Sequence, residues 1–268
     1  MTDRMDFQLT ATAAEAYEHH AAPIMRPFVE LLLDAVGLPE RAALLDVACG
    51  TGFAARRAAA RTGGAMRVCG ADANQDMLNA AGAAAPGPGI AWVQAPADAL
   101  PYPDADFDAV VSQQGAQYFP DLKAAAAEMA RVTRPGGRVA VTVWAAMDRS
   151  PYFAAQGTAI AAVAGHDAFA SYEVAFRCTA DRLLTAFRAA GLKEVTAREI
   201  TAEVPLPPLP EFVPSFLSAL PWAQALADAR PEGLTTAADI VRTQLAPRTR
   251  PDGISVLPFT AVLLTATR

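Results

Sequence analysis

Short apolar segments alternate with helix-like segments along residues 43–144, and this alternation restricts the chain to few folds. The apolar segments are continuous runs, as in strands that are buried on both faces; they lie at 43–48, 66–72, 90–95, 109–114 and 138–144. Helical patterns come between them, at 56–61, 74–85 and 122–133. Strands that alternate with helices form right-handed βαβ units around a parallel sheet. The sequence therefore predicts a doubly wound α/β fold.

The flanks of this region have a looser pattern. They predict helices at 14–36, 180–190, 211–220 and 236–246 and strands at 193–204 and 259–267. Thr179 is the expected N-cap of the helix that follows it, because its hydroxyl can accept a hydrogen bond from a free helix N–H. Six prolines between 205 and 221 predict that no sheet strand runs there, since proline cannot donate to a strand ladder.

The composition excludes several classes of protein. The chain has 268 residues, a net charge of −6 and 53% hydrophobic residues, which fits one large domain. Its acidic balance argues against nucleic-acid binding, which needs clustered Lys and Arg. No apolar run approaches the roughly 18 residues of a membrane span, and no signal peptide is visible. Cys49, Cys69 and Cys178 are well separated, so we expect no metal site and a cytoplasmic protein.

A glycine pair joins the first predicted strand to the next helix. Gly50 and Gly52 lie in DVACGTG, where glycine lets the backbone approach a ligand and helix N–H groups favour its polar atoms. The spacing Gly50-x-Gly52-x-x-Ala55 also fits the dinucleotide-binding pattern, with Asp72 twenty residues after Gly52. An acid at that strand end typically accepts hydrogen bonds from ribose hydroxyls. An NAD(P)-dependent oxidoreductase is therefore one alternative.

Three further features narrow this choice. Asp46 lies inside the first strand, where a carboxylate repels phosphate but suits a ligand with an ammonium or sulfonium group. Asp98 follows the third strand, where an acid can accept a hydrogen bond from an adenine amine. A Pro-Gly-Gly turn at 135–137 leads into the fifth strand. Asp46 and this turn argue against the oxidoreductase.

In combination, these motifs resemble class I S-adenosylmethionine-dependent methyltransferases of the small-molecule, type 11-like group. The resemblance covers about residues 14–145. It implies a Rossmann-like, mostly parallel seven-stranded sheet with an antiparallel C-terminal strand pair, in a single domain over 1–268. Residues 14–145 would form the cofactor-binding core, 146–257 the substrate-binding or lid region, and 259–267 a strand that returns to the sheet. S-adenosyl-L-methionine would be the cofactor and S-adenosyl-L-homocysteine the product.

The resemblance also implies a set of cofactor-binding residues. They are Tyr17, Asp46, Ala48, Gly50, Gly52, Asp72, Ala73, Met77, Ala97, Asp98, Ser112 and Gln113. Gly50 and Gly52 would surround the amino-acid end of the cofactor, with Asp46 supporting their loop. Asp72 would hold both ribose hydroxyls, and Tyr17 would close over the site. The adenine would lie among Ala73, Met77, Ala97 and Asp98, and the methionine side would be lined by Ser112 and Gln113.

The sequence departs from the family pattern at two places. Ala48 stands where the family has its first motif glycine, and Gln117-Tyr118 stands where many relatives carry a histidine pair. A catalytic histidine is therefore not carried over from those relatives. His20, which follows Tyr17 toward the expected cofactor mouth, and Tyr118, which can orient an acceptor oxygen, are the candidate catalytic residues.

The acceptor is expected to be a small, largely apolar metabolite. We expect methylation at oxygen in preference to carbon or nitrogen. The aromatic residues expected to form its pocket are Trp144, Phe153, Phe169, Tyr172, Phe176, Phe212, Phe216 and Trp222. A base matters only for an acceptor that must lose a proton. A cofactor-binding enzyme or regulator that does not methylate is a second alternative. We expect neither nucleic acid nor membrane as a partner, and leave a homodimer open.

Overall fold

The computed structural model describes residues 14, 17–18, 21–37, 41–85, 89–220 and 222–268. Within these residues seven strands form one sheet. They are β1 (Ala43–Val47), β2 (Arg67–Asp72), β3 (Ile90–Gln94), β4 (Phe107–Gln113), β5 (Thr133–Trp144), β6 (Lys193–Leu206) and β7 (Ser255–Thr267).

Nine α-helices whose bounds are described accompany the sheet. They are α1 (Ala22–Val36), α2 (Phe53–Arg61), α3 (Gln75–Ala84), α4 (Leu122–Val132), α5 (Pro151–Glu173), α6 (Ala180–Ala189), α7 (Leu209–Ser218), α8 (Ala223–Ala229) and α9 (Gly233–Leu245). None of the described helices is both long and apolar enough to cross a lipid bilayer.

The strand order is β3-β2-β1-β4-β5-β7-β6. The first five of these strands pair in parallel, whereas β7 pairs antiparallel with both β5 and β6. The predicted doubly wound fold with an antiparallel C-terminal pair is therefore confirmed. The strand order reverses between β1 and β4, and open α/β sheets bind ligands beyond the carboxyl ends of the strands at such a point.

Polar side chains fix the starts of three predicted helices. The Asn74 side chain accepts hydrogen bonds from the first turn of α3, Asp121 does the same for α4, and the Thr179 hydroxyl accepts from the backbone of α6. Each of these side chains accepts a hydrogen bond from backbone N–H groups that have no partner within the helix. The predicted helix over 14–36 is present as α1, and part of its N-terminal half lies outside the described residues.

The region after β5 differs most from the sequence prediction. β6 extends through Pro205 to Leu206, so the prediction that no strand enters the proline-rich stretch is wrong at its start. Pro205 is tolerated because β6 is an edge strand with a neighbour on one side only. Helices α5 and α8 were not predicted. Small apolar residues surround the whole circumference of α5, so no periodic face marks it in the sequence.

Both faces of the sheet are covered. One face packs against α1, α2, α5 and the α7–α9 group, and the other face packs against α4 and α6. β1 lies inside the sheet between β2 and β4, and all five of its residues are buried. The loops that follow β1, β2 and β4 therefore start from rigid, buried positions, which is what a precise binding site requires.

Candidate active site

A cavity of about 320 Å³ lies at the carboxyl ends of β1, β2 and β4. One part of its wall comes from the loop 48–51 after β1, from Asp72 and Ala73 at the end of β2, and from residues 113–115 after β4. Another part of the wall is mostly aromatic and comes from β5, α5 and the helices after β6. The cavity thus combines a polar, loop-lined part at the switch point with an apolar part beneath the helices.

The loop after β1 takes an unusual backbone path. Ala48 and Gly50 have φ angles of +54° and +55°, in the left-handed region that costs a residue with a Cβ about 1–2 kcal/mol. The family glycine that Ala48 replaces is thus at a position where the backbone conformation favours glycine. The backbone N–H of Gly50 donates to Oδ2 of Asp72 over 2.8 Å, which ties the ends of β1 and β2 together.

Asp72 is positioned by backbone donors on both of its oxygens. Oδ2 accepts from Gly50, and Oδ1 accepts from the backbone N–H of Asn74 over 2.8 Å. Burial raises the pKa of this carboxyl, and the backbone hydrogen bonds oppose that rise. Because each carboxylate oxygen has a second acceptor site, Asp72 can still bind a pair of ligand hydroxyls from the cavity wall.

Asp46 lies behind the loop and does not line the cavity. Its side chain is 1% exposed, and Oδ2 accepts a hydrogen bond of 3.1 Å from the backbone N–H of Ala55 at the start of α2. Oδ1 has no hydrogen-bond partner among the described residues. Burial raises the pKa of Asp46 to about 7, with a smaller contribution from Asp72. Asp46 therefore fastens the loop to α2 and holds titratable charge beneath it.

The structure brings most of the predicted site residues to one cavity. Those that line it are Tyr17, Ala48, Gly50, Asp72, Ala73, Met77, Ala97, Asp98, Gln113 and Tyr118. Besides Asp46, Gly52 and Ser112 do not line it. A Cβ on Gly52 would meet the Trp92 ring at 2.2 Å, so this glycine serves the close packing of the loop. Ser112 is buried beneath the loop that contains Gly115.

Of the two candidate catalytic residues, only Tyr118 is among the described residues. Tyr118 lines the cavity, and burial raises the pKa of its phenol, as it does for Tyr17. Both phenols therefore keep their protons near neutral pH and act as hydrogen-bonding groups. His20 lies outside the described residues.

Glu18 is a site residue that the sequence analysis missed. Its carboxylate accepts a hydrogen bond of 2.6 Å from the Thr51 hydroxyl and forms an ion pair with Arg56. These contacts fasten the segment that carries Tyr17 to the loop after β1. No local pattern marks Glu18, because its partners are more than 30 residues away in the sequence.

The aromatic part of the cavity contains most of the predicted acceptor residues and two amides that were not predicted. Trp144, Phe153, Tyr172, Phe176, Phe216 and Trp222 line it, whereas Phe169 and Phe212 do not. Gln114 and Gln156 also border the cavity, and both are buried. No described cluster of three or more His, Cys, Asp or Glu residues could hold a metal ion.

Comparisons with known proteins agree with this geometry. Residues 45–141 match the family model of the methyltransferase domain. A nocamycin O-methyltransferase of Saccharothrix syringae is 39% identical over 132 residues, which are 48% of this chain and 47% of the relative. The ubiquinone/menaquinone biosynthesis C-methyltransferase UbiE of Hahella chejuensis is 38% identical over 122 residues, which are 44% and 49% of the two chains.

A solved structure extends the likeness to the fold as a whole. The [4+2]-cyclase SpnF has a TM-score of 0.56 and 25% identity, and the match covers 90% of this chain and 80% of that chain. The two sequence matches span about half the length of those curated relatives. Residues 45–141 thus match a methyltransferase domain, and these findings support the resemblance to class I S-adenosylmethionine-dependent methyltransferases.

Proposed function

We propose that the chain binds S-adenosylmethionine and methylates an oxygen of a small, largely apolar metabolite. The observation that carries the proposal is the position of Asp72. It is held by the backbone of the loop after β1, at the wall of a cavity that continues into an aromatic part. A cofactor held there would have its ribose hydroxyls at Asp72 and would face the aromatic part with its reactive end.

The residues around the cavity fit this cofactor. The acids at this end include Asp46, Asp72 and Asp98, which suit a cationic ligand that carries hydroxyl and amine groups. Met77 and Ala73 offer an apolar surface for the adenine next to Asp72. In this proposal residues 14–145 form the cofactor-binding core, 146–257 form the acceptor side, and 259–267 complete one common sheet. The described cysteines are unpaired, which supports a cytoplasmic location.

The protein's contribution to the reaction would be alignment. When bound, the cofactor supplies an activated methyl carbon on a neutral leaving group. Holding the acceptor oxygen in line with it can account for up to about 7–11 kcal/mol of the barrier. Tyr118 is placed to orient the acceptor, since it lines the cavity and keeps its phenol proton. His20 stays a predicted catalytic residue.

Titration calorimetry with S-adenosylhomocysteine tests the cofactor site. We expect Asp72→Asn to weaken binding by roughly 10- to 100-fold, because hydrogen bonds to a charged group contribute about 1.5–3 kcal/mol. Asp167→Asn is the matched control, since that carboxylate is fully exposed and pairs only with its neighbour His166. Unchanged affinity of the Asp72 variant would show that the site assignment is wrong.

Two further results separate the alternatives. Thermal stabilisation by NAD(P)H, without stabilisation by S-adenosylmethionine or S-adenosylhomocysteine, would overturn the methyltransferase proposal in favour of an oxidoreductase. Transfer of a labelled methyl group has to be measured separately from binding, because the relative SpnF is named as a cyclase. Cofactor binding without transfer to any member of a broad acceptor panel would favour an enzyme that does not methylate.

A further inference from the structure

The aromatic part of the cavity has a composition that constrains the acceptor. We call it the acceptor chamber and define it by Trp144, Phe153, Gln156, Tyr172, Phe216 and Trp222. Five of these residues surround the inner cavity with rings, and none of the six carries a carboxyl or a basic group. A flat, mostly apolar molecule fits such walls. Few polar groups of the chamber can bind the polar atoms of the acceptor. The chemistry of those few groups therefore indicates which polar atoms the acceptor carries.

Among the residues that define the chamber, two hydrogen-bond donors have no partner in the described part of the chain: the amide nitrogen of Gln156 and the indole nitrogen of Trp222. The amide of Gln114, which borders the cavity just after β4, also has no such partner at its nitrogen or its oxygen. The Gln156 side chain is fully buried and Trp222 is 7% exposed. A buried donor without a partner destabilises the fold by about 1–3 kcal/mol. Such groups in a ligand cavity are typical of a site whose hydrogen bonds are completed by the ligand.

Tyr172 holds both donors in place. Its hydroxyl donates a hydrogen bond that is shared between the backbone oxygen of Phe153, at 2.9 Å, and the side-chain oxygen of Gln156, at 3.1 Å. Its ring packs edge-on against Trp222, with 4.9 Å between the ring centroids. Because the oxygen of Gln156 is engaged with Tyr172, the amide offers its N–H groups. The indole of Trp222 can only donate. Each of the two groups can therefore donate a hydrogen bond to an acceptor oxygen.

The described residues of the chamber include no group that could take a proton from that oxygen. Its two nearest phenols belong to Tyr118 and Tyr172, and burial raises the pKa of both, so they remain protonated. None of the described residues that line the chamber is His, Asp, Glu, Lys or Arg. An acceptor that must lose a proton during the reaction would find no base there. An acceptor that arrives ionised needs none.

We propose that the acceptor is a planar oxygen acid that binds as its anion, a carboxylate or an acidic enolate, with the oxyanion held by Gln156 and Trp222. This inference rests on the proposed methyltransferase function. A lone pair of the anionic oxygen forms the O–CH₃ bond while the S–CH₃ bond breaks and its electron pair passes to sulfur. The products are a neutral methyl ester or enol ether and a neutral thioether. No proton is transferred.

The charge balance explains why an apolar chamber suits this step. Two opposite charges attract more strongly where water is excluded, so the sulfonium of the cofactor would supply the counter-charge that the chamber walls lack. Both charges disappear when the methyl group moves, so the apolar chamber favours the transition state relative to the charged reactants. The same chamber without a bound cation would hold an anion poorly.

Binding measurements test the proposal without relying on turnover. The protein is first loaded with S-adenosylhomocysteine, or with sinefungin, whose ammonium replaces the sulfonium. The carboxylate probe is 2-naphthoate, with 2-naphthamide as its neutral counterpart, and the enolate probe is 4-hydroxycoumarin, with coumarin as its neutral counterpart. We expect at least one anion to bind roughly 10-fold or more tightly than its counterpart, and to bind more tightly with sinefungin. Equal binding of anions and neutral counterparts would overturn the proposal.

Two conservative variants locate the oxyanion. Gln156→Glu keeps the shape and the contact with Tyr172 but replaces the donor with an oxygen, and Trp222→Phe keeps the ring but removes the N–H. We expect each to weaken anion binding by roughly 10- to 100-fold while the affinity for S-adenosylhomocysteine stays the same. Gln244→Glu, at an exposed position of α9, is the control for added charge. Unchanged anion affinity in both variants would refute the assignment.

The base is tested separately, and this also separates the two proposals. With an anion that becomes methylated, the single-turnover rate should follow the pKa of the acceptor itself when two acids of different strength are compared. A rate whose pH midpoint is the same for both acids would show that a group of the protein takes the proton, and would overturn the proposal of an unassisted anion. Failure of S-adenosylhomocysteine to bind would instead refute the proposed function.

Discussion

The buried carboxyl of Asp46 predicts an inverted dependence of stability on pH. Its side chain is 1% exposed, one oxygen accepts from Ala55, and the other has no described partner. Burial raises its pKa from 3.8 to about 7. Between these two values the native protein keeps the proton that the unfolded chain has already lost. Ionisation therefore opposes folding, and stability falls as the pH rises through this range.

The size of the effect follows from the two pKa values. One pKa unit corresponds to about 1.4 kcal/mol, so the full effect is on the order of 4 kcal/mol, reached above about pH 7. Asp46→Asn retains an oxygen for the N–H of Ala55 and cannot ionise. Its new amide N–H groups have no described partner at the second oxygen's position, which adds a pH-independent cost of about 1–3 kcal/mol. The two contributions separate because only the first varies with pH.

Urea unfolding of both proteins at several values from roughly pH 4 to pH 9 measures the difference. We expect the free energy of unfolding of the wild type to decline relative to Asp46→Asn by about 4 kcal/mol across this range. Asp72, whose pKa is also raised by burial, is present in both proteins and contributes little to their difference. Parallel pH profiles would refute the reasoning, since they would mean that Asp46 ionises alike in the native and unfolded states.

Two predictions concern the glycines of the loop region. Gly52→Ala and Gly64→Ala both force a φ of +79° on alanine, but only at Gly52 would the new Cβ meet a neighbour, the Trp92 ring at 2.2 Å. We expect Gly52→Ala to be less stable than Gly64→Ala by about 1–3 kcal/mol, and equal losses would contradict the packing role. A Cβ on Gly115 would lie 2.6 Å from that of Ala48. Gly115→Ala should therefore lower the free energy of unfolding, and Ala48→Gly should recover part of that loss in a double-mutant cycle, whereas additive effects would exclude the contact.

The cofactor half of the site could be predicted because its residues sit at strand ends. A parallel sheet brings the carboxyl ends of β1, β2 and β4 to one edge, whatever the helices do. Asp72 and Gly50 are therefore neighbours once the strands are recognised, although 22 residues separate them. The strands themselves could be recognised from short apolar runs, and the N-caps from single residues such as Asn74 and Thr179.

The acceptor half depends on how helices pack, and that information is spread over the chain. Gln156 and Trp222 come from α5 and the start of α8, and only their common contact with Tyr172 makes them one site. No spacing rule relates such residues, since helices after β5 can cross a sheet at many angles. The cavity in the structure shows that these residues lie at one site. The hydrogen-bond donors without a described partner then restrict the chemical class of the acceptor more than any sequence motif does. The packing of the helices thus determines which acceptor the site suits, whereas the strand ends of the sheet determine which cofactor it suits.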